Sequence, residues 1–189
     1  YDTHGGEVGA EIWLGSLKPS LISGDKFQLL NNYFRKNHLY RTGKIAVPNR
    51  ALAYHDDYTW WPWWVEEWVN NTIKVAYNET IIVNDPEITI ASDYLARLRE
   101  GYEWIYLITH GWFGHHTFWH HGGWDGTVYG RDYRLIDPPT IFYVLSVCYA
   151  TSGYNNVAGS CVFTDTYGLL AIGSRGAAWK PGPGIVGYP

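Results

Sequence analysis

Two reactive side chains in this sequence each follow an apolar run. Trp104-Ile105-Tyr106-Leu107-Ile108-Thr109 leads into His110-Gly111, and Ile141-Phe142-Tyr143-Val144-Leu145-Ser146-Val147 leads into Cys148. Short, continuous apolar runs are the pattern of strands buried on both faces. In an open α/β sheet, sites form outside the carboxyl ends of the strands. If the two runs are parallel neighbours, His110 and Cys148 emerge on the same edge. An imidazole beside a thiol takes its proton and leaves a thiolate, the nucleophilic form of cysteine. The same imidazole returns the proton to a leaving amine. Gly111 lets a substrate carbonyl approach the backbone, and its N–H with that of Cys148 would hold the developing oxyanion. A cysteine closing an apolar strand is otherwise a small buried hydrophobe. The two strand ends together, rather than either residue alone, carry the catalytic reading.

The rest of the pattern supplies the elements that must position this pair. Glu11 to Leu17 reads as a short strand. Ser23-Gly24-Asp25 reads as a turn and cap before a helix over Lys26 to His38, with Phe27, Leu30, Tyr33 and Phe34 on one stripe. Ile45 to Tyr54 has strand character, interrupted at Pro48, and ends in His55-Asp56-Asp57. A short helix opens in Trp60-Trp61-Pro62-Trp63-Trp64 and runs to about Asn70; Ile73 to Tyr77 and Thr80 to Val83 read as strands. Ser92-Asp93 caps a helix through Arg99, stopped by Gly101. His110 to Tyr133 reads as a long loop rich in Gly, His and Trp, of a length that is usually functional. Val157 to Thr166 is a helix and Leu169 to Gly173 a third buried strand. Helices alternating with apolar strands predict an α/β domain, with a mostly parallel sheet covered on both faces.

Composition narrows the classes. The chain has 189 residues, 46% hydrophobic and 17% charged, enough for one domain with a real core. Its net charge of −4 and lack of a basic stripe give nucleic-acid binding no electrostatic support. No apolar run is as long as a membrane-spanning helix requires. The 11 Trp and 16 Tyr suit binding clefts as well as cores. Asn70-Asn71-Thr72 and Asn78-Glu79-Thr80 are glycosylation triplets and fit a secreted chain. Two cysteines, Cys148 and Cys161, make no disulfide framework, although they have the option of pairing. The start at Tyr1, the absence of Met and the Gly/Pro-rich end predict an excerpt of a longer chain, missing an N-terminal part.

An apolar run, His-Gly, a spacer, and a second apolar run ending in Cys resemble the caspase/gingipain/legumain group of cysteine peptidases, and the gingipain branch most. The order of segments is similar over most of the chain. Glu7-Val8-Gly9-Ala10-Glu11-Ile12-Trp13-Leu14-Gly15 lies where that branch has an acidic residue, an apolar pair and Gly-Arg. Ser16 here replaces the Arg. Arg50-Ala51-Leu52-Ala53-Tyr54 ending in Asp56-Asp57, Gly159-Ser160-Cys161-Val162-Phe163, and Gly168-Leu169-Leu170-Ala171-Ile172-Gly173-Ser174 continue the likeness. The resemblance implies a three-layer caspase-like fold and a cysteine endopeptidase, with Cys148 as nucleophile, His110 as general acid and base, and Gly111 as backbone donor. It also implies a peptide or protein substrate cut after a basic residue, for which Asp2 is the positional match to the acidic specificity residue. No cofactor is required by that chemistry; calcium, with Asp56-Asp57 as the carboxylates, is the ion the resemblance allows.

Two other classes fit the same residues. His110, His115, His116, His120 and His121 crowd one segment followed by Asp125, and imidazole binds zinc, copper and nickel. Their spacing matches no standard structural zinc pattern, so the default reading is a wet aromatic loop at a cleft edge; a further one has Trp112, Phe113, Trp119 and Trp124 as pocket walls in contact with substrate. The third class is a peptidase-like binding or structural module without activity, joined to its own longer chain or to an assembly through its aromatic surface.

Overall fold

A computed structural model describes residues 15–56 and 62–177, with the side chains of 62–65 excepted. The segment expected to form a strand over Glu11 to Leu17 lies mostly outside these residues, and 15–17 are irregular. Five strands form a parallel sheet: β1 (Arg50–His55), β2 (Glu79–Val83), β3 (Tyr102–Ile108), β7 (Thr140–Ser146) and β8 (Leu170–Gly173). Their order is β2-β1-β3-β7-β8, so the chain winds one way from β1 to β2 and the other way from β3 to β8. The reversal falls between β1 and β3, and such switch points open crevices at the carboxyl ends of the strands.

Helices cover both faces. α4 (Ala91–Arg97), α5 (Gly130–Ile136) and α6 (Val157–Val162) share a core with Leu52, Tyr54, Ile105, Leu107, Tyr143 and Leu145. α2 (Pro62–Asn71) and α3 (Ile73–Ala76) pack on the opposite residues, Ala51, Ala53, Tyr106, Ile108 and Val144. This alternation of core faces along each strand is the period-2 geometry of a pleated sheet. The expected strand over Ile73 to Tyr77 is instead the single helical turn α3. It follows α2 almost without a break, and its buried Ile73 extends the stripe that α2 lays on the sheet.

α1 (Lys26–Arg41) begins on Asp25, whose side chain accepts the Gln28 N–H at 2.8 Å. Its inward face differs from the expected stripe. Leu29 and Lys36 are buried, with Leu30 and Tyr33 partly covered, whereas Phe27 and Phe34 face solvent. The buried lysine explains the rotation. Lys36 Nζ donates to the carbonyls of Val162 (2.7 Å), the last residue of α6, and of Thr164 (2.6 Å) and Tyr167 beyond it. Burial pushes its pKa down to about 7, against the pull of Asp137 and Asp165. α4 also departs from expectation: its N-cap is Ile90. Asp93 sits in the first turn, accepting from Arg97 at 2.7 Å and from the Tyr54 hydroxyl at 3.2 Å.

The largest correction concerns 110–133. This segment is not a loop but a second, antiparallel sheet, β4 (His110–Trp112), β5 (His115–His120) and β6 (Gly123–Tyr129), followed by α5. His116 and Phe118 on β5 point inward, and Phe118 meets Tyr54 and Tyr94 edge-on or tilted at 5.9 and 5.5 Å. Gly126, with φ +65°, is the extra residue opposite Thr117 and Phe118; a methyl there would stand 2.6 Å from the Ala91 side chain. The bulge therefore needs glycine for both its left-handed backbone and the close approach of α4.

His116 is fully buried. Its Nε2 lies 3.1 Å from the Tyr133 hydroxyl, which lies 2.9 Å from that of Tyr94. Burial lowers the His116 pKa to about 3, so the ring is neutral in the folded protein. The unfolded ring titrates near the ordinary value of about 6.5. Between these values only the unfolded chain binds the proton, so stability falls as pH drops from about 6.5 towards 3. Urea unfolding across that range should show this loss, and His116→Phe should flatten it; an identical pH slope in the variant would contradict the assignment.

Candidate active site

The two reactive residues sit at the same sheet edge. β3 and β7 are hydrogen-bonded parallel neighbours in the register Ile108↔Ser146, and His110 and Cys148 each follow two residues later. Both are partly accessible. The backbones beyond the strands also meet. A methyl on Gly111 would stand 2.2 Å from Val147 Cγ1 and 3.1 Å from the Cys148 carbonyl oxygen. Glycine is what lets the His110-Gly111 segment lie against the Cys148 turn.

The Cys148 turn carries a second mark. Tyr149 has φ +55°, a left-handed conformation costly for a residue with a side chain. Such strain persists only where surroundings over-determine it, and it concentrates at active sites. Here Tyr149 N–H donates to the Gly176 carbonyl at 2.8 Å, and its ring lies 4.7 Å from both Trp112 and Phe113. Thr151 N–H reaches the Ser174 carbonyl at 3.1 Å, which stitches the turn to the chain leaving β8.

His110 is held from two sides. Its ring packs edge-on against Trp124 at 4.9 Å, and Trp124 packs in the same way on Trp119 at 4.8 Å. On the backbone side, Thr109 Oγ1 lies 3.0 Å from Asp56 Oδ2 and 2.9 Å from the Thr117 carbonyl, between which its single proton is shared. The same Asp56 oxygen accepts the Trp119 N–H at 2.9 Å. The resemblance offers Asp56, with Asp57, as a calcium carboxylate. Asp56 is fully buried, and its carboxylate joins the ends of β1 and β3 to the bulged part of β5.

Of the residues singled out by sequence, the fold thus gathers His110, Gly111 and Cys148 on one edge, with Trp112 and Trp124 beside them at 53% and 59% exposure. Asp2 and Asp57 lie outside the described residues. Cys148 and Cys161 form no disulfide with each other; Cys161 is buried in α6, and burial raises its pKa well above the ordinary thiol value. Sequence reasoning missed Asp56 and Thr109 as positioning residues and Tyr149 as a strained neighbour. The signal for the first pair was available: one carboxylate and one hydroxyl terminate adjacent apolar strands. Nothing in the sequence marks Tyr149. No family model matches the chain, and no curated protein and no solved structure matches it significantly.

Two outcomes follow from this geometry. Asp56→Ala leaves the Trp119 N–H and the Thr109 hydroxyl without their buried acceptor. It should cost about 2–5 kcal/mol in urea unfolding and speed amide exchange at Trp119, with Asp56→Asn less damaging. Unchanged stability and exchange would show that the carboxylate is not structural. Gly111→Ala should cost about 1–3 kcal/mol through overpacking and displace the Cys148 turn. Adding Val147→Ala removes the nearest clash and should recover part of the loss; no recovery would contradict the contact.

Proposed function

We propose that this chain is a cysteine endopeptidase working through Cys148 and His110, related to the gingipain branch of the caspase/gingipain/legumain group. The observation that carries the reading is the register of β3 and β7, which brings a histidine and a cysteine to equivalent positions past two neighbouring parallel strands. The strained Tyr149 after Cys148 and the tight approach at Gly111 support it. The doubly wound parallel sheet with helices on both faces is the architecture that resemblance calls for, with the site at the strands' carboxyl ends.

In this reading the Cys148 thiolate attacks the scissile carbonyl carbon and forms a thioester, while the negative charge on oxygen is met by backbone N–H groups of the His110-Gly111 and Cys148 segments. His110 carries the thiol proton to the departing amine, then takes a proton from the water that hydrolyses the thioester. Asp56 and Thr109 act only through position, by fixing the backbone that leads into His110. In the same reading the exposed rings of Trp112 and Trp124, beside the pair, contact the substrate. A basic residue before that bond is the preference the resemblance suggests, with Asp2 as its counterpart. Asn70 and Asn78 are both exposed, as acceptors of glycans in a secreted chain would be.

Peptidyl acyloxymethyl ketones bearing Arg or Asp before the warhead test the reading on the full-length protein. Mass spectrometry should locate the adduct on Cys148, absent in Cys148→Ala and in His110→Ala, with buried Cys161 unmodified. Labelling that survives both substitutions, or a folded protein that neither probe modifies, would overturn it.

A further inference from the structure

The five clustered histidines divide by environment. His116 is buried against Tyr133, His110 packs on Trp124, and His115 directs Nδ1 to the Phe113 carbonyl at 3.2 Å. His120 and His121 instead turn away from these groups at the tip of the β5–β6 hairpin, where they meet Glu87 from the loop between β2 and α4. We propose that Glu87, His120 and His121 form a binding site for a divalent transition ion of the zinc class, which pins the hairpin tip to that loop.

One donor atom from each residue lies within 4.8 Å of the other two. His121 Nε2 is already 3.1 Å from Glu87 Oε2, and the two imidazole rings have centroids 3.9 Å apart. Tetrahedral zinc with bonds of about 2.0–2.1 Å spaces its donors by about 3.3 Å, so small side-chain rotations complete the set. His120 is oriented for the task. Its Nδ1 lies 2.9 Å from the Pro86 carbonyl, an acceptor only, so Nδ1 carries the proton and Nε2 keeps its lone pair. That backbone-anchored tautomer is the arrangement found behind metal-binding histidines.

The turn itself gives a second, independent argument. His120 pairs with Gly123, leaving His121-Gly122 as a two-residue hairpin loop with φ +47° and +79°. Both values are left-handed, and Asn or Gly leads at the first of these positions. Histidine adds strain there that the turn does not need, and an ion pair between groups 64% and 65% exposed contributes little in return. Glu87 is presented by a fixed loop: its N–H donates to Asp85 Oδ1 at 2.9 Å, and Thr89 N–H to the Asp85 carbonyl at 2.9 Å. Two imidazoles and one carboxylate suit zinc, cobalt, nickel or copper rather than calcium, with water in the open position. The ion would steady the hairpin that carries Trp119 and Trp124, and through Trp124 the ring of His110. The site stands whether or not the chain cleaves peptides.

The experiment is a zinc titration of the full-length, untagged and chelator-stripped protein, read by competition with a chromogenic chelator and by thermal unfolding. One zinc per chain and a rise in melting temperature are expected. His121→Asn preserves the left-handed turn and Glu87→Gln preserves side-chain shape; each should weaken binding by at least ~10-fold and abolish the thermal shift, while His115→Gln keeps both. Absence of stoichiometric zinc, wild-type binding in His121→Asn and Glu87→Gln, or loss of binding in His115→Gln would each overturn the proposal.

Discussion

The buried Asp56 carboxylate is the constraint on which the rest of the site depends. A carboxylate taken out of water persists only where hydrogen bonds replace its hydration. Among the donors it finds are the Thr109 hydroxyl, just past β3, and the Trp119 N–H in β5. Satisfying this charge therefore fixes where β3 ends and where the small antiparallel sheet stands. The bulge at Gly126 belongs to the same solution, because it shifts the β5 pairing at Thr117 and Phe118, the point where the Thr117 carbonyl and Trp119 N–H engage Thr109 and Asp56. His110 is the residue after Thr109, so its backbone inherits this anchoring.

Around that anchor the aromatic side chains are layered by exposure. Below the sheet edge lie tightly packed aromatics, with Tyr54, Tyr94 and Phe118 in mutual ring contact and Tyr133 bonded to both Tyr94 and His116. Above it the aromatics open to solvent at Trp112, Phe113 and Trp124. Burial keeps His116 neutral and packed, whereas His110, six residues earlier, stays partly exposed at the sheet edge.

Much of this was legible in the sequence where burial on both sides makes the signal continuous. The apolar runs before His110 and Cys148 predicted β3 and β7; that the two are neighbours was a condition in the sequence, met by the β3–β7 pairing. The helix after Asp25 was equally clear, and so was a strand after Gly168, but β8 is not the buried strand expected: it closes the edge of the sheet and leaves Leu170 and Ile172 exposed. The antiparallel sheet was not, because Gly, His and Trp disguise its alternation: the inward residues of β5 are His116 and Phe118, and a histidine is not counted as apolar. The face of α1 was misread for a related reason. Phe27 and Phe34 looked like core, yet Lys36 outranks them because three carbonyls at and beyond the end of α6 accept its ammonium. Such partners, more than a hundred residues away in sequence, leave no local pattern. α3 was read as a strand because Ile73 and Val75 are β-branched, and its packing beside α2 overrode that propensity.

The account's central claim is that His110 activates Cys148 across the β3–β7 edge. The most direct measurement is the rate at which a small electrophile such as iodoacetamide alkylates Cys148 at neutral pH, followed residue by residue by mass spectrometry in the wild type and in His110→Ala. The account predicts that Cys148 reacts faster than a cysteine in an unstructured peptide, and that His110→Ala slows it to the peptide's rate or below. A Cys148 that reacts no faster than the peptide, at a rate indifferent to His110, would contradict it.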